Sequence, residues 1–189
     1  NLNFGIAHCN FHLRHEESNL DESFVKDFAN QMNKEYHTIS FDTEEYAKKE
    51  KLSIQLAARE LRYNWFYELL DKQNYSYVLT AHNANDQLET FLLNLTRGSG
   101  LDGFTGIPSV NNKTLRPLLS FSRIQIEAFA KENDIEWRED RSNAETKYAR
   151  NKIRHEVIPV LESLKPQLLD TFQQTLQNLN QSKQLINNH

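Results

Sequence analysis

The alternation of short strand-like runs with longer helix-like segments is the feature that most restricts the fold of this sequence. Residues 4–9, Phe-Gly-Ile-Ala-His-Cys, form an apolar run without Asp, Glu, Lys or Arg, which is typical of a strand buried on both faces of a parallel sheet. Further strands are predicted at 37–41 and 75–80, a charged linker at 42–51, and amphipathic helices at 18–36, 52–70 and 86–97. Such alternation produces right-handed βαβ crossovers. We therefore predict an α/β fold with a parallel, doubly wound sheet.

Glycine and capping signals organise the chain after residue 97. Four of the five glycines lie between 98 and 106, which predicts a loop. Ser122 and Gln125 have the spacing of a capping box, so we predict a helix from Ser122 to Glu132. Residues 135–137, Ile-Glu-Trp, are predicted to form a last short strand.

Beyond Pro166 the sequence predicts a terminal helix with one narrow apolar seam. Its members recur at steps of three and four: Leu169, Phe172, Leu176, Leu179, Lys183 and Ile186. Two interpretations stay open, because the seam either packs on its own domain or serves as a linker to another domain or a homodimer contact. We expect a catalytic domain at 1–160 and a helical extension at 161–189.

The composition excludes several classes of protein. A net charge of −4 argues against a general polyanion binder, although six Lys and Arg residues between 138 and 154 form a local basic cluster that leaves RNA binding open. The single cysteine, Cys9, excludes an internal disulfide framework and favours a reducing compartment, so a cytoplasmic location is expected. No apolar run approaches the roughly 20 residues that span a bilayer.

A polar cluster follows the predicted strand at 75–80, at the edge where open α/β sheets bind ligands. On the next helix, the predicted core stripe consists of Leu88, Phe91, Leu92 and Leu95. Asp86 and Arg97 lie on the other face, so an acid and a base share it. A structural interpretation stays open: Asp86 and Glu89 have the spacing of a helix cap, Arg97 suits a helix C-terminus, and His82 is a hydrogen-bonded residue at the strand end.

Two further clusters could carry chemistry. Arg150 and Arg154 lie four residues apart and therefore on one helix face, an arrangement that suits a phosphate clamp. The alternative is a solvated face paired with neighbouring acids. In the turn at 98–100, the glycines would let backbone N–H groups approach an anion.

Three histidines and a thiol near the first strand also suggest zinc. The residues are His8, Cys9, His12 and His15. Their spacing matches no standard ligand pattern, and strand alternation places His8 and Cys9 on opposite faces. A zinc site is therefore disfavoured.

Several stretches of the sequence occur together in a specific order. They are Ala7-His8-Cys9-Asn10 with Leu13-Arg14 and Glu16-Glu17-Ser18; Thr80-Ala81-His82 with Asp86-Gln87 and Glu89-Thr90; Arg97-Gly98-Ser99-Gly100-Leu101; Gly106-Ile107-Pro108; Arg116-Pro117-Leu118-Leu119; Asp140 with Ser142-Asn143; and Arg150-Asn151 with Ile153-Arg154. In this order they resemble the tRNA(Ile)-lysidine synthetase family of PP-loop ATPases, from Phe4 to Leu161. The resemblance implies an adenine nucleotide alpha hydrolase-like fold.

The sequence departs from the family pattern at a few positions. His12 and His15 stand where the family usually has glycine, and Asn83 and Asn85 where it often has His and Asp. The family's phosphate loop, Ser-Gly-Gly-x-Asp-Ser, does not occur in these 189 residues. We therefore expect the first strand, the phosphate loop and most of the first helix to be missing, and the fragment alone to be inactive.

The resemblance implies an ATP-dependent carbon–nitrogen ligase. ATP would adenylate carbon 2 of the wobble cytidine in a tRNA(Ile) with a CAU anticodon, and the amine of free L-lysine would displace AMP. The cofactors implied are ATP and Mg²⁺, and no membrane is involved. Two alternatives remain: another PP-loop tRNA-modifying enzyme such as a thiolase, which commonly uses paired cysteines, or a non-catalytic binding module.

The resemblance also implies roles for individual residues. The catalytic group is His82, Asp86 and Arg97, with Asp86 also a candidate Mg²⁺ ligand. The ATP-binding group is Ala7, His8, Asn10, Gln87, Gly98, Ser99 and Gly100. The group contacting RNA or phosphate is Arg14, Arg138, Arg150, Asn151 and Arg154.

Overall fold

The computed structural model describes residues 3–139 and 149–187. The chain divides into two compact units, Asn1–Val78 and Leu79–His189. Each unit is built around its own helices, and the candidate residues are distributed between both.

The first unit contains a parallel strand pair joined by a helix. Strand β1 (Ile6–Asn10) pairs in register with β2 (Tyr36–Ser40), so that Ile6 lies beside Tyr36 and Asn10 beside Ser40. Helix α1 (Glu16–Gln31) connects the two strands, and α2 (Thr43–Glu50) and α3 (Ile54–Gln73) follow. This βαβ unit confirms the α/β class and the parallel pairing that the alternating pattern predicts.

The predicted linker at 42–51 is wrong, because this segment forms helix α2. The Asp42 carboxylate accepts the Glu45 N–H at 2.9 Å and caps the helix. Acidic residues occupy the first turn and lysines the last turn, which suits the helix dipole, and Lys51 ends the helix at φ 55°. Dense charge therefore marks a short exposed helix here.

The second unit combines a small sheet with most of the helices. Its elements are β3 (Val78–Leu79), through which the chain enters the unit, α4 (Ala84–Thr96), α5 (Leu101–Phe104), β4 (Val110–Asn111), β5 (Thr114–Leu115), α6 (Arg123–Glu132), α7 (Ala149–Lys152), a π-helical segment (Ile153–Val157), α8 (Ile158–Leu164) and α9 (Leu168–Asn187). The strands lie in the order β3, β5, β4. The pairing of β4 with β5 is antiparallel.

Helix α6 confirms one local prediction and the residues after it contradict another. The Ser122 hydroxyl accepts the Gln125 N–H at 3.1 Å, and the Gln125 side chain accepts the Ser122 N–H at 2.8 Å, as a capping box requires. The predicted strand at 135–137 is wrong. The Ile135 N–H donates at 2.8 Å to the Ala130 carbonyl and so closes the end of α6.

Helix α9 packs through part of its seam on its own unit. Phe172 and Leu176 are each 6% exposed and form the core with Leu88, Ile153 and Ile158. Leu185 and Ile186, further along the same helix, are 65% and 63% exposed. The first interpretation of the seam therefore holds for its amino-terminal half, and the division at residue 160 stays a prediction.

The core stripe of α4 is mostly as predicted. Leu88 is buried, and Phe91 and Leu92 pack against the core together with Leu93. Leu95 is 55% exposed, so its placement in the core is wrong.

No helix in the described ranges is long and apolar enough to cross a membrane.

The two histidines after β1 lie in backbone conformations that favour glycine. His12 has φ 52°, and His15 has φ 47° and ψ −121°. Residues other than glycine rarely adopt such positive φ values, because their Cβ atom crowds the backbone. The family resemblance implies glycine at both positions, so the turn geometry gives a physical reason for it.

Replacing His15 by glycine should stabilise the protein. We expect His15→Gly to raise the free energy of unfolding by about 1 kcal/mol in urea titrations, since relief of backbone strain outweighs the entropy of a new glycine. The matched substitution His155→Gly lies in the helical segment 153–157 and should lower the free energy of unfolding by about 1 kcal/mol. Equal losses at both positions would contradict the strain.

Candidate functional site

Helix α4 carries a buried carboxylate that two arginines hold. Glu89 is 1% exposed. One of its oxygens accepts Arg150 Nε at 2.7 Å and Arg154 Nη2 at 3.1 Å. The other accepts Arg154 Nε at 2.5 Å. Two guanidinium groups from residues more than sixty positions away therefore share one carboxylate.

Asp86 lies one turn before Glu89 and extends this ion-pair cluster. Its Oδ1 is 3.0 Å from Arg150 Nη2 and 3.9 Å from Arg154 Nη2. Its Oδ2 accepts the Asn83 N–H at 2.9 Å. We call Asp86, Glu89, Arg150 and Arg154 the carboxylate–guanidinium network. Its formal charges cancel, which is the condition for burying charge at acceptable cost.

The cap of helix α4 differs from the one predicted as the structural alternative. Asn83 is the capping residue, and its side-chain oxygen accepts the N–H groups of Asn85 at 3.0 Å and Asp86 at 3.2 Å. The Asp86 carboxylate in turn accepts the Asn83 N–H and completes the capping box. The interpretation of Asp86 and Glu89 as the capping pair is wrong, because the helix begins at Ala84 and Asp86 is its third residue. This leaves Glu89 inside the helix.

The shared face of Arg150 and Arg154 is confirmed. Among the described residues, both guanidiniums pair with acids of helix α4. The Arg150 side chain is 40% exposed and that of Arg154 25%, so an anion could approach the network from solvent. The phosphate-clamp role stays a prediction.

The structure separates two residues predicted to act together. Arg97 is exposed at the C-terminus of α4, where its N–H donates to the Asn94 carbonyl at 3.1 Å. Asp86 lies in the first turn, and eleven helical rises place the two Cα atoms about 16 Å apart. One small group cannot contact both backbones, although the residues lie on one helix face.

His82, half-buried before α4, has its Nδ1 at 3.0 Å from the Thr80 hydroxyl.

Helix α4 anchors the glycine-containing loop that follows it. The Gln87 side-chain oxygen accepts the Ile107 N–H at 2.6 Å, and Asn94 Nδ2 donates to the Gly103 carbonyl at 2.8 Å. Gly106 has φ 79°, and a Cβ there would collide with the Gln87 oxygen. Gln87 therefore positions the loop in this structure, whereas its predicted contact with ATP stays a prediction.

Two of the three N–H groups of the predicted anion-binding turn, those of Gly98 and Ser99, point back to helix α4. Gly98 N donates to the Leu95 carbonyl at 3.2 Å, and Ser99 N donates to the Asn94 carbonyl at 3.2 Å. Gly98, at φ 72°, ends helix α4, and Gly100 precedes α5. In this structure Gly98 therefore lies at the end of α4 and Gly100 at the start of α5.

The first unit contains a cleft at the carboxyl end of its parallel strands. Its volume is about 400 Å³, and its lining is Phe11, His12, Leu13, Ser40, Phe41, Asp42, Thr43 and Glu44. The Phe11 and Phe41 rings stack at 5.7 Å between centroids. The cleft thus combines an aromatic wall with polar side chains at the edge where open sheets bind ligands.

The residues predicted to bind ATP or phosphate in this unit lie in β1 or just after it. Ala7 is exposed, and burial lowers the pKa of the His8 imidazole. Asn10 is 2% exposed at the end of the strand, directly before the cleft. Arg14 Nη2 forms an ion pair with Asp21 Oδ2 at 2.8 Å.

The remaining predicted residues lie elsewhere in the second unit. Arg138 is exposed in an irregular segment after α6, and Asn151 is half-buried on α7. Asp140, Ser142 and Asn143 lie outside the described residues. Within 3–139 and 149–187, no group of three His, Cys, Asp or Glu side chains could hold a metal ion.

Sequence reasoning did not identify Glu89 as a functional residue. The available signal was indirect: one acid beside the predicted core residue Leu88, and two arginines four residues apart. Local spacing could not show that the partners lie 61 and 65 positions apart.

Removing the charge of Glu89 should cost far more stability than removing an exposed acid. Glu89→Gln leaves two partly buried guanidiniums without their shared anion, so we expect the free energy of unfolding to fall by about 3–5 kcal/mol. The matched control is Glu127→Gln, whose carboxylate pairs with Arg123 at 2.7 Å on an exposed surface. It should cost under about 1 kcal/mol. Similar losses for the two variants in urea titrations would refute the importance of the network.

Comparison with known proteins places this chain in a family. The model of the PP-loop domain matches residues 1–161. The tRNA(Ile)-lysidine synthase of Porphyromonas gingivalis is 44% identical over 92% of this chain and 38% of its own length. Those of Bacteroides thetaiotaomicron and Chlorobaculum tepidum are 38% and 39% identical over 96% and 98% of this chain, and over 42% and 56% of their own lengths.

A solved structure supports the same fold at low sequence identity. The U34-tRNA thiolase NcsA from Methanococcus maripaludis, with its [4Fe-4S] cluster, matches 94% of this chain and 62% of its own with a TM-score of 0.69 and 13% identity. The chain spans between about two fifths and just over half the length of the three lysidine synthases. With its α/β architecture, its ordered motifs and the match over 1–161, the chain belongs to the PP-loop domain family.

Proposed function

We propose that the protein containing this chain is a tRNA(Ile)-lysidine synthase. It joins the amine of L-lysine to carbon 2 of the wobble cytidine in tRNA(Ile) with a CAU anticodon, and converts ATP to AMP and pyrophosphate. The identity of 44% to a lysidine synthase over 92% of the chain is the observation that carries this proposal. The single cysteine fits a cytoplasmic reaction.

In this function, the carboxylate–guanidinium network supplies positive charge for the phosphate and a carboxylate for the amine of lysine. Adenylation and displacement of AMP move negative charge on phosphate, which guanidinium groups stabilise. The partly exposed Arg150 and Arg154 are the candidates for that contact. Asp86 is 19% exposed and can orient the attacking amine of lysine. Glu89 holds both guanidiniums in place during these steps.

The cleft of the first unit is the candidate site for the nucleoside of ATP. A volume of about 400 Å³ accommodates a nucleoside, and aromatic and polar walls suit a planar base with hydrogen-bonding edges. Ala7, His8 and Asn10 approach this cleft along β1. Arg14 and Arg138 remain the candidates for RNA phosphates.

The described residues do not form a prepared Mg²⁺ site. Both oxygens of Asp86 already accept, one from the Asn83 N–H and one from Arg150. Mg²⁺ prefers one or two carboxylates together with substrate phosphates. No reaction step is therefore assigned to Mg²⁺ through Asp86.

A thiolase is the competing function within the same fold. Sulfur transfer requires thiolates, and the 189 residues contain only Cys9. Burial raises the pKa of this thiol to about 11, which keeps it protonated at neutral pH. One unreactive cysteine favours the ligase.

Replacing Asp86 by asparagine tests the proposed chemistry. In the complete gene product we expect Asp86→Asn to slow lysidine formation by at least about a hundredfold, measured as radioactive lysine incorporated into tRNA(Ile) transcripts. The fold should survive, because Asn can still accept the Asn83 N–H and Glu89 still holds both arginines.

The matched control is Asp102→Asn. The Asp102 side chain is 89% exposed and pairs with Lys183 at 2.8 Å on the surface. This variant should retain activity within about twofold. Near-normal lysidine formation by Asp86→Asn would remove Asp86 from the catalytic group, and no incorporation by the unmodified protein would reject the function.

A further inference from the structure

The side chain of Asn10 joins the end of β1 to helix α1 and to the next turn. Its Nδ2 donates to Glu22 Oε2 at 2.7 Å and to Asn19 Oδ1 at 3.1 Å. Its Oδ1 accepts the His12 N–H at 3.0 Å. Both amide hydrogens of this buried residue are therefore committed within the protein. The structure thus favours an indirect effect of Asn10 on any ligand in the cleft.

The bond from His12 to Asn10 shapes the backbone that lines the cleft. It forms an Asx turn, in which an asparagine oxygen accepts the N–H two residues on. This turn holds His12 at φ 52°. The adjoining backbone is fixed by the Phe41 N–H, which donates to the Asn10 carbonyl at 2.9 Å, and by the Thr43 hydroxyl, which donates to the Phe11 carbonyl at 3.1 Å.

Glu22 provides the charged acceptor that, together with Asn19, orients the Asn10 amide. Its carboxylate accepts from Asn10 at 2.7 Å and, through the other oxygen, from the Thr38 hydroxyl of β2 at 3.0 Å. The hydrogen bond from Asn10 is the main reason that the pKa of Glu22 lies below its usual value. With the Nδ2 group held on a carboxylate, the Oδ1 group faces His12.

We propose that Glu22 is a positioning residue for ATP binding. It acts through Asn10 to hold the turn at 10–12, and thereby sets the shape of the cleft lined by Phe11, His12 and Leu13. This role rests on the proposed function only in its choice of ATP as the ligand. It predicts that loss of Glu22 weakens ATP binding and leaves the chemical step unchanged.

The test compares three variants of the complete gene product by three measurements. Glu22→Ala removes the charged acceptor of Asn10 Nδ2 and leaves only Asn19 Oδ1. The His12 amide should therefore exchange with solvent at least about tenfold faster, and the Kd of a non-hydrolysable ATP analogue should rise about tenfold. The value of kcat at saturating ATP should stay within about twofold. Glu22→Gln keeps an oxygen for Asn10 and should restore most of the affinity.

Thr38→Val is the matched control, because it removes the other hydrogen bond to Glu22 and keeps the one from Asn10. It should leave ATP affinity and His12 exchange unchanged. Equal effects of Thr38→Val and Glu22→Ala would show a general structural role and overturn the proposal. A His12 amide that exchanges rapidly in the unmodified protein would overturn it without any variant.

The outcomes separate this role from the ligase function. Lysidine formation together with unchanged ATP affinity in Glu22→Ala rejects the positioning role alone. ATP binding that weakens in Glu22→Ala, without any lysidine formation by the unmodified protein, supports the positioning role and rejects the ligase. An unmodified protein that binds no ATP rejects both.

Discussion

The burial of one carboxylate determines how the second unit is assembled. An unpaired charge in the interior is costly, so the carboxylate of Glu89, 1% exposed, needs partners, and two arginines from the segment 149–157 supply them. The preceding residue, Leu88, packs with Ile153 in the apolar core. One turn of α4 therefore contacts the same segment through an apolar and a charged side chain, which fixes both the position and the rotation of the helix.

The same pairing links stability to chemistry. Arg150 and Arg154 pair with Glu89 and are also, under the proposed function, the candidates for contact with phosphate. Since the Arg150 side chain is 40% exposed, an incoming anion would compete with Asp86 and leave the buried pairing with Glu89 intact. Asp86, with one oxygen committed to the helix cap, would then turn its other oxygen toward the amine of lysine. We infer that Glu89 stabilises the site, whereas Asp86 and the arginines act in it.

Local physical signals explain how much of the molecule the sequence could predict. The apolar run before Asn10 and the capping box at Ser122 depend on near neighbours, and the structure confirms the strand and the helix. Helix α2 was missed because its cap, Asp42, lies inside a run of charges, and the β4–β5 hairpin because it is two residues long on each side. The network was missed because it depends on contacts between distant segments. The family was predictable from the joint order of the motifs.

Glu89 and the arginines stabilise each other within the second unit. A double-mutant cycle with Glu89→Gln and Arg154→Met measures this directly in urea titrations. We predict a coupling free energy of at least about 2 kcal/mol, because removing the second partner of a buried pair costs little once the first is gone. Additive effects, with a coupling below about 0.5 kcal/mol, would contradict it.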